Sequence, residues 1–176
     1  MKATSLVCAG AWFLLLSLPA VAENIRFQFD AYQKLGDSML GKERPPIVYT
    51  EDKSPVYLLM RFVVDGVSET EWTEALEVIN TRRKDMPKTV AAWYDQFRAQ
   101  GEASCPSEWV TLEESAKSLA FERKSLACPP HEAQHAVYKV LYGKKQAFTL
   151  IATRKGGMDD ETRAGWIKVM DTATIE

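Results

Sequence analysis

His131 and His135 are the only two histidines in the chain, and the segment they bound, His131-Glu132-Ala133-Gln134-His135, spells H-E-x-x-H. On a helix, residues four apart share a face. Two imidazoles so placed can grip one zinc ion, and the glutamate between them can act as general base on the zinc-bound water. Glu161 or Asp159 stands downstream at a distance that suits a third ligand. In an extended chain the same two histidines lie about 13 Å apart and cannot share a metal. The chemistry therefore depends on the backbone that carries the motif.

The residues that follow, Ala136-Val137, resemble the usual continuation in zinc metalloproteases of the zincin type. That resemblance implies zinc, with Glu132 as the base and His131, His135 and Glu161 as ligands. The flanks depart from it. Pro129-Pro130 stand immediately before His131, Ala133 is small where those enzymes carry a larger apolar residue, and the sequence after His135 has the character of a strand. A helix starting at Pro130 is the competing geometry, since proline suits a first turn. The favoured reading is a pair of exposed loop histidines with no metal and no catalytic residue.

The chain has three cysteines. Cys8 lies in an N-terminal segment built like an export signal. Lys2 gives a positive start, Leu6 to Leu18 are mostly apolar, Pro19 breaks the run, and Ala20-Val21-Ala22 supplies the small residues of a cleavage site. Residues 1–22 are expected to leave as a signal peptide, cut between Ala22 and Glu23. The remainder, 23–176, is expected to be a single domain in the periplasm or outside the cell. Cys105 and Cys128 then form an even pair in an oxidising compartment, which reads as one disulfide. Their spacing is far from C-x-x-C.

Charge narrows the partners. Twenty-two basic residues face 24 acidic ones, and loss of Lys2 with the leader makes the balance one unit more negative. The basic clusters Arg82-Arg83-Lys84 and Lys144-Lys145 are short, are expected at solvated helix ends and turns, and do not make the stripe that nucleic acid requires. No second apolar run is long enough for a membrane span. Phosphate loops, G-x-S-x-G elbows and dinucleotide fingerprints are absent from the sequence, and nothing pairs Asp95, Glu108 or Glu113 for two-carboxylate hydrolysis.

The elements that would position these residues are legible in part. Ile25 to Phe29 alternate as a strand does; Asp30 to Glu43 suit a short helix or a loop; Ile47 to Thr50 read as a strand after Pro45-Pro46. Val56 to Val64 read as a central strand covered on both faces, with Arg61 at the sheet edge or paired to a carboxylate. Ser68 to Glu71 make a capping box, predicting a helix with Trp72, Ala75, Leu76 and Ile79 on one face. A second helix is expected from Pro87 to Gly101, its stripe Val90, Trp93, Tyr94 and Phe97 facing the core. From Ser104 to Cys128 a helix carrying Trp109, Leu112, Ala116 and Leu119 is expected, then a strand. Val137 to Arg154 read as a hairpin turning at Gly143-Lys144-Lys145. A last helix follows Gly156-Gly157, with Asp159, Asp160 and Glu161 at its N-terminus and Trp166, Val169, Met170 and Ala173 facing inward.

A hairpin with a glycine turn followed by a helix bearing one Trp is similar to the end of PsbP-like α+β domains, a resemblance confined to this closing segment that implies a fold class and no functional residue. The expected fold is α+β, a single domain with an antiparallel sheet and helices packed on one face, stapled by Cys105–Cys128. The function expected first is a non-enzymatic binding protein of the cell envelope, its partner an envelope or extracellular protein, with Trp109 and the stapled segment as the presenting surface. A small zinc hydrolase using 131–135 is second.

Overall fold

The computed structural model describes residues 23–29, 48–66, 71–125, 128 and 134–176. The expected leader 1–22, the stretch Asp30 to Glu43 with Pro45-Pro46, Ser68 to Thr70 of the capping box, and Pro129 to Ala133 lie outside them. A seven-stranded antiparallel sheet dominates. Its strands in chain order are β2 (Val48–Lys53), β3 (Tyr57–Gly66), β4 (Trp72–Arg82), β5 (Glu108–Glu114), β6 (Ser118–Lys124), β7 (His135–Tyr142) and β8 (Gln146–Arg154), arranged β2-β3-β4-β8-β7-β6-β5. Helix α1 (Val90–Ser104) joins β4 to β5, and α2 (Asp160–Asp171) follows β8. A separate ribbon pairs β1 (Ile25–Arg26) with β9 (Thr174–Ile175), so the expected strand at Ile25 to Phe29 is only two residues long.

The α+β class is as expected, but among the described residues α1 and α2 take opposite faces of the sheet rather than one. Strand β7 shows why. Ala136, Tyr138, Val140 and Tyr142 enter the cluster that packs on Val90, Trp93, Tyr94 and Phe97 of α1, whereas Val137 enters the cluster with Trp166 and Met170 of α2. Residues of alternate parity on a strand point to opposite faces, and both faces here are apolar, so each needs a cover.

Two predicted helices are strands. Residues 72–82 form β4, although Trp72, Ala75, Leu76 and Ile79 match a helical stripe. Strand pairing wins because β4 is bonded on both sides, to β3 and to β8, and buries Leu76 and Val78 on one face and Ala75 on the other. The β-branched Thr73, Val78, Ile79 and Thr81 suit that setting. Likewise 108–114 is β5, an edge strand whose mostly exposed residues blur any alternation, while the strand expected after it is β6. Strand β3 is one place in from the edge rather than central; the middle position belongs to β8. Arg61 is paired to a carboxylate, its Nε donating to Glu77 Oε1 on β4 at 2.7 Å.

The β7–β8 hairpin closes at the expected turn, with Gly143 N–H donating to Gln146 O at 2.8 Å. Helix α2 begins where three acidic residues stood: Asp159 is the N-cap and its Oδ1 accepts from Thr162 N–H at 2.8 Å. Helix α1 is capped by Thr89 and runs past Gly101. Gly101 is a packing position, not a stop. A Cβ there would lie 2.7 Å from Cζ2 of Trp109. Gly101→Ala would gain about 1 kcal/mol of helix propensity against about 2 kcal/mol for overpacking. The indole cannot swing aside freely, because Glu102 accepts its Nε1–H and Arg123 stacks on it. The expected outcome is a net loss of about 1 kcal/mol in urea unfolding; a gain would show the indole to be free to move.

Candidate functional site

The end of the sheet where β6 stops and β7 starts carries the residues with chemistry. Cys105, the C-cap of α1, and Cys128, in the β6–β7 connection, form the predicted disulfide with Cα atoms 5.9 Å apart. Polar bonds knit the surroundings. Ser107 Oγ lies 2.8 Å from Ser125 Oγ, Arg123 Nε donates to Ser107 Oγ at 3.0 Å, and Gln134 Nε2 donates to Cys128 O at 3.0 Å.

His135, expected to be exposed on a loop, instead opens β7 and is buried. Its Nδ1 accepts the backbone N–H of Met158 at 2.9 Å, so that nitrogen carries no proton. Its Nε2 therefore carries the proton and donates to Glu122 Oε1 at 2.5 Å. Glu122, 1% exposed on β6, also takes a two-pronged bond from Arg163 of α2, Nε to Oε1 at 2.7 Å and Nη2 to Oε2 at 2.9 Å. Lys124 Nζ is 3.8 Å from the same carboxylate. Burial by itself would raise the pKa of Glu122, because it disfavours the charged carboxylate. The bonds from Arg163 and His135, with the charges of Arg163 and Lys124, outweigh it and hold the carboxyl below its ordinary value. The Arg163 guanidinium is correspondingly raised, first through its bond to Glu122.

The network thus bridges β6, β7, the Gly156-Gly157 turn and α2. Both of these glycines have positive φ (76° and 91°), the left-handed backbone that glycine adopts without steric cost. A shallow cleft of about 340 Å³ opens beside them, lined by Lys124, His135, Gly156, Gly157, Met158 and Asp159.

Of the zinc set, His131 and Glu132 lie outside the described residues. His135 has both ring nitrogens engaged, and Glu161 stands exposed on the first turn of α2. Among the described residues no group of three or more His, Cys, Asp or Glu is placed to hold a metal ion. What His135 does in this geometry is brace: one nitrogen fixes the turn before α2, the other fixes the carboxylate on the neighbouring strand. Glu122, Lys124 and Arg163 had no place in the sequence reading. The available signal was one carboxylate directly after the apolar Leu119 to Phe121 run, a position that needs a partner once buried.

Trp109 belongs to the core under α1. Its ring lies 5.9 Å from those of both Phe97 and Phe121, and 6.2 Å from Tyr94. Tyr138 stacks on Phe121 at 4.5 Å, and burial pushes its phenol up to about 12.

No family model, curated protein or solved structure matches the chain. The PsbP-like likeness of the closing segment accordingly rests on its sequence pattern. No helix among the described residues is long and apolar enough to cross a membrane.

Proposed function

We propose that this chain is an exported binding domain of the cell envelope, processed between Ala22 and Glu23, cross-linked after export, and acting by presenting a rigid surface rather than by catalysis. The observation that carries the reading is the buried Cys105–Cys128 bond, with the two residues 7% and 6% exposed, in a chain that starts with an export-type leader. Disulfides persist in oxidising compartments and are reduced in the cytosol. Glu23 adds support. Its carboxylate accepts the backbone N–H groups of Lys144, Lys145 and Gln146 at 2.8, 2.9 and 2.9 Å, so the residue left first by the cut is itself part of the fold. The histidine end favours scaffolding over turnover, because His135 and Glu122 spend their polar atoms on each other, Arg163 and Met158.

Expression of the whole coding sequence in a Gram-negative host tests this. The expected product is periplasmic or secreted, begins at Glu23, and shows no titratable thiol after denaturation. A cytosolic product that retains Met1, with free Cys105 and Cys128, would overturn the proposal.

A further inference from the structure

Five exposed lysines that are scattered in sequence meet at the end of the sheet opposite the disulfide. Lys84 and Lys88 follow β4, Lys117 sits in the β5–β6 turn, and Lys144 and Lys145 make the β7–β8 turn. Backbone bonds lace these loops together: Arg83 N–H donates to Lys145 O and Tyr142 N–H to Lys117 O, both at 2.8 Å. Arg83 adds stiffness, stacking on the Tyr142 ring at 4.0 Å and donating from Nη1 to Pro87 O at 2.9 Å.

Among the described residues none of the five lysines has a salt-bridge partner. Of the nearby carboxylates among the described residues, Asp85 is paired with Arg82 at 2.6 Å, Glu51 with Lys53 and Glu113 with Lys139. Asp52, Glu114 and Glu23, the last beside Lys145, keep their charge, and the five lysines with Arg83 outnumber them. The two basic clusters, expected at solvated helix ends and turns, become one cationic surface through tertiary pairing.

The same end carries the exposed apolar tip of the β2–β3 hairpin, Pro55 and Val56, the latter 44% exposed. A hollow of about 320 Å³ joins that tip to Arg82 and Gln146, and so to the lysine loops.

We infer that this end docks on an anionic phospholipid bilayer, the lysines meeting headgroup phosphates while Pro55 and Val56 enter the interface. Charge selects an anionic partner. The apolar tip beside it favours a bilayer over a soluble polyanion, which offers nothing for Val56 to bury against. The inference rests on the reading of the chain as an exported envelope domain and names the surface that it meets there.

The test uses the protein as recovered from expression of the whole coding sequence, its N-terminus sequenced first, with flotation on vesicles of phosphatidylcholine alone or mixed equally with phosphatidylglycerol. Binding is expected only to the anionic vesicles and is expected to fade at high salt. Lys84→Glu/Lys144→Glu/Lys145→Glu should weaken it about a hundredfold, and Val56→Asp several-fold. Lys155→Glu, which changes charge at the opposite end beside Thr73, should retain most of it. Every comparison is between chains with the same N-terminus, so a wrong leader reading shows in the sequencing and a wrong docking surface shows in the variants. Equal binding of wild type and triple variant, equal binding to neutral vesicles, or no binding overturns the inference. So does lysine-dependent binding to heparin without binding to vesicles, which would assign the surface to a soluble acidic partner.

Discussion

Glu122→Gln is expected to lower the unfolding free energy at neutral pH by about 3 kcal/mol. The substitution preserves volume, so it leaves no cavity. What it removes is the charge that Arg163 grips with two nitrogens and that His135 Nε2–H meets on a fully buried strand position. Breaking a buried pair costs about 3–5 kcal/mol because the surviving charge stays desolvated. The lower figure applies here, since the Arg163 side chain keeps 31% of its surface in water. For a domain of this size the thermal midpoint should fall by about 9 °C.

The pH dependence gives the result a second signature. The folded carboxyl titrates below its ordinary value. Its contribution is therefore complete above the unfolded value of about 4.3 and is lost as pH falls through the folded one. Wild type and variant should differ most at neutral pH and converge in acid. Urea unfolding from pH 7 down to pH 3 checks this. A difference that stays constant across that range, or one under about 0.5 kcal/mol at pH 7, the ordinary scale of a surface substitution, would show that the bridge does not hold the strands to α2.

The second large effect belongs to the staple. Cys105→Ala/Cys128→Ala is expected to cost about 3.5 kcal/mol, the loop-closure entropy of an unfolded chain cross-linked across 23 positions. The closed loop contains all of β5 and β6. Strand β5 is an edge, bonded only to β6 and largely exposed, so it has little burial of its own to resist opening. Losing the bond should therefore loosen β5 and the β6–β7 connection before the β4–β8 centre. Urea unfolding with and without reductant measures the total, and amide exchange locates it. Identical exchange in β5 and β8 after reduction would show that the bond does not act locally.

The charge network and the lysine surface share one lesson about what primary structure reveals. The β7–β8 hairpin, the N-cap of α2 at Asp159, the inward stripe of α1 and the cysteine pair were readable, because each depends on neighbours a few positions away or on residue type alone. The 72–82 segment was misread for a related reason: Trp72, Ala75, Leu76 and Ile79 satisfy helical spacing locally, and only pairing with Leu59, Phe62, Thr149 and Ala152 on flanking strands settles it as a strand. Local pattern carries no information about such partners.

The chain's own order determined the hairpin, the acidic start of α2, the cysteine pair and the α+β class. Tertiary structure decided the rest: opposite faces for α1 and α2, Glu122 as the partner of His135 and Arg163, Gly101 as the seat of Trp109, and five distant lysines at one end of the sheet. The physical reason is distance along the chain. Capping, turns and amphipathic spacing act within one or two turns of backbone, whereas a buried carboxylate on β6 meets its cation 41 positions later on α2. That meeting exists only once the sheet has closed.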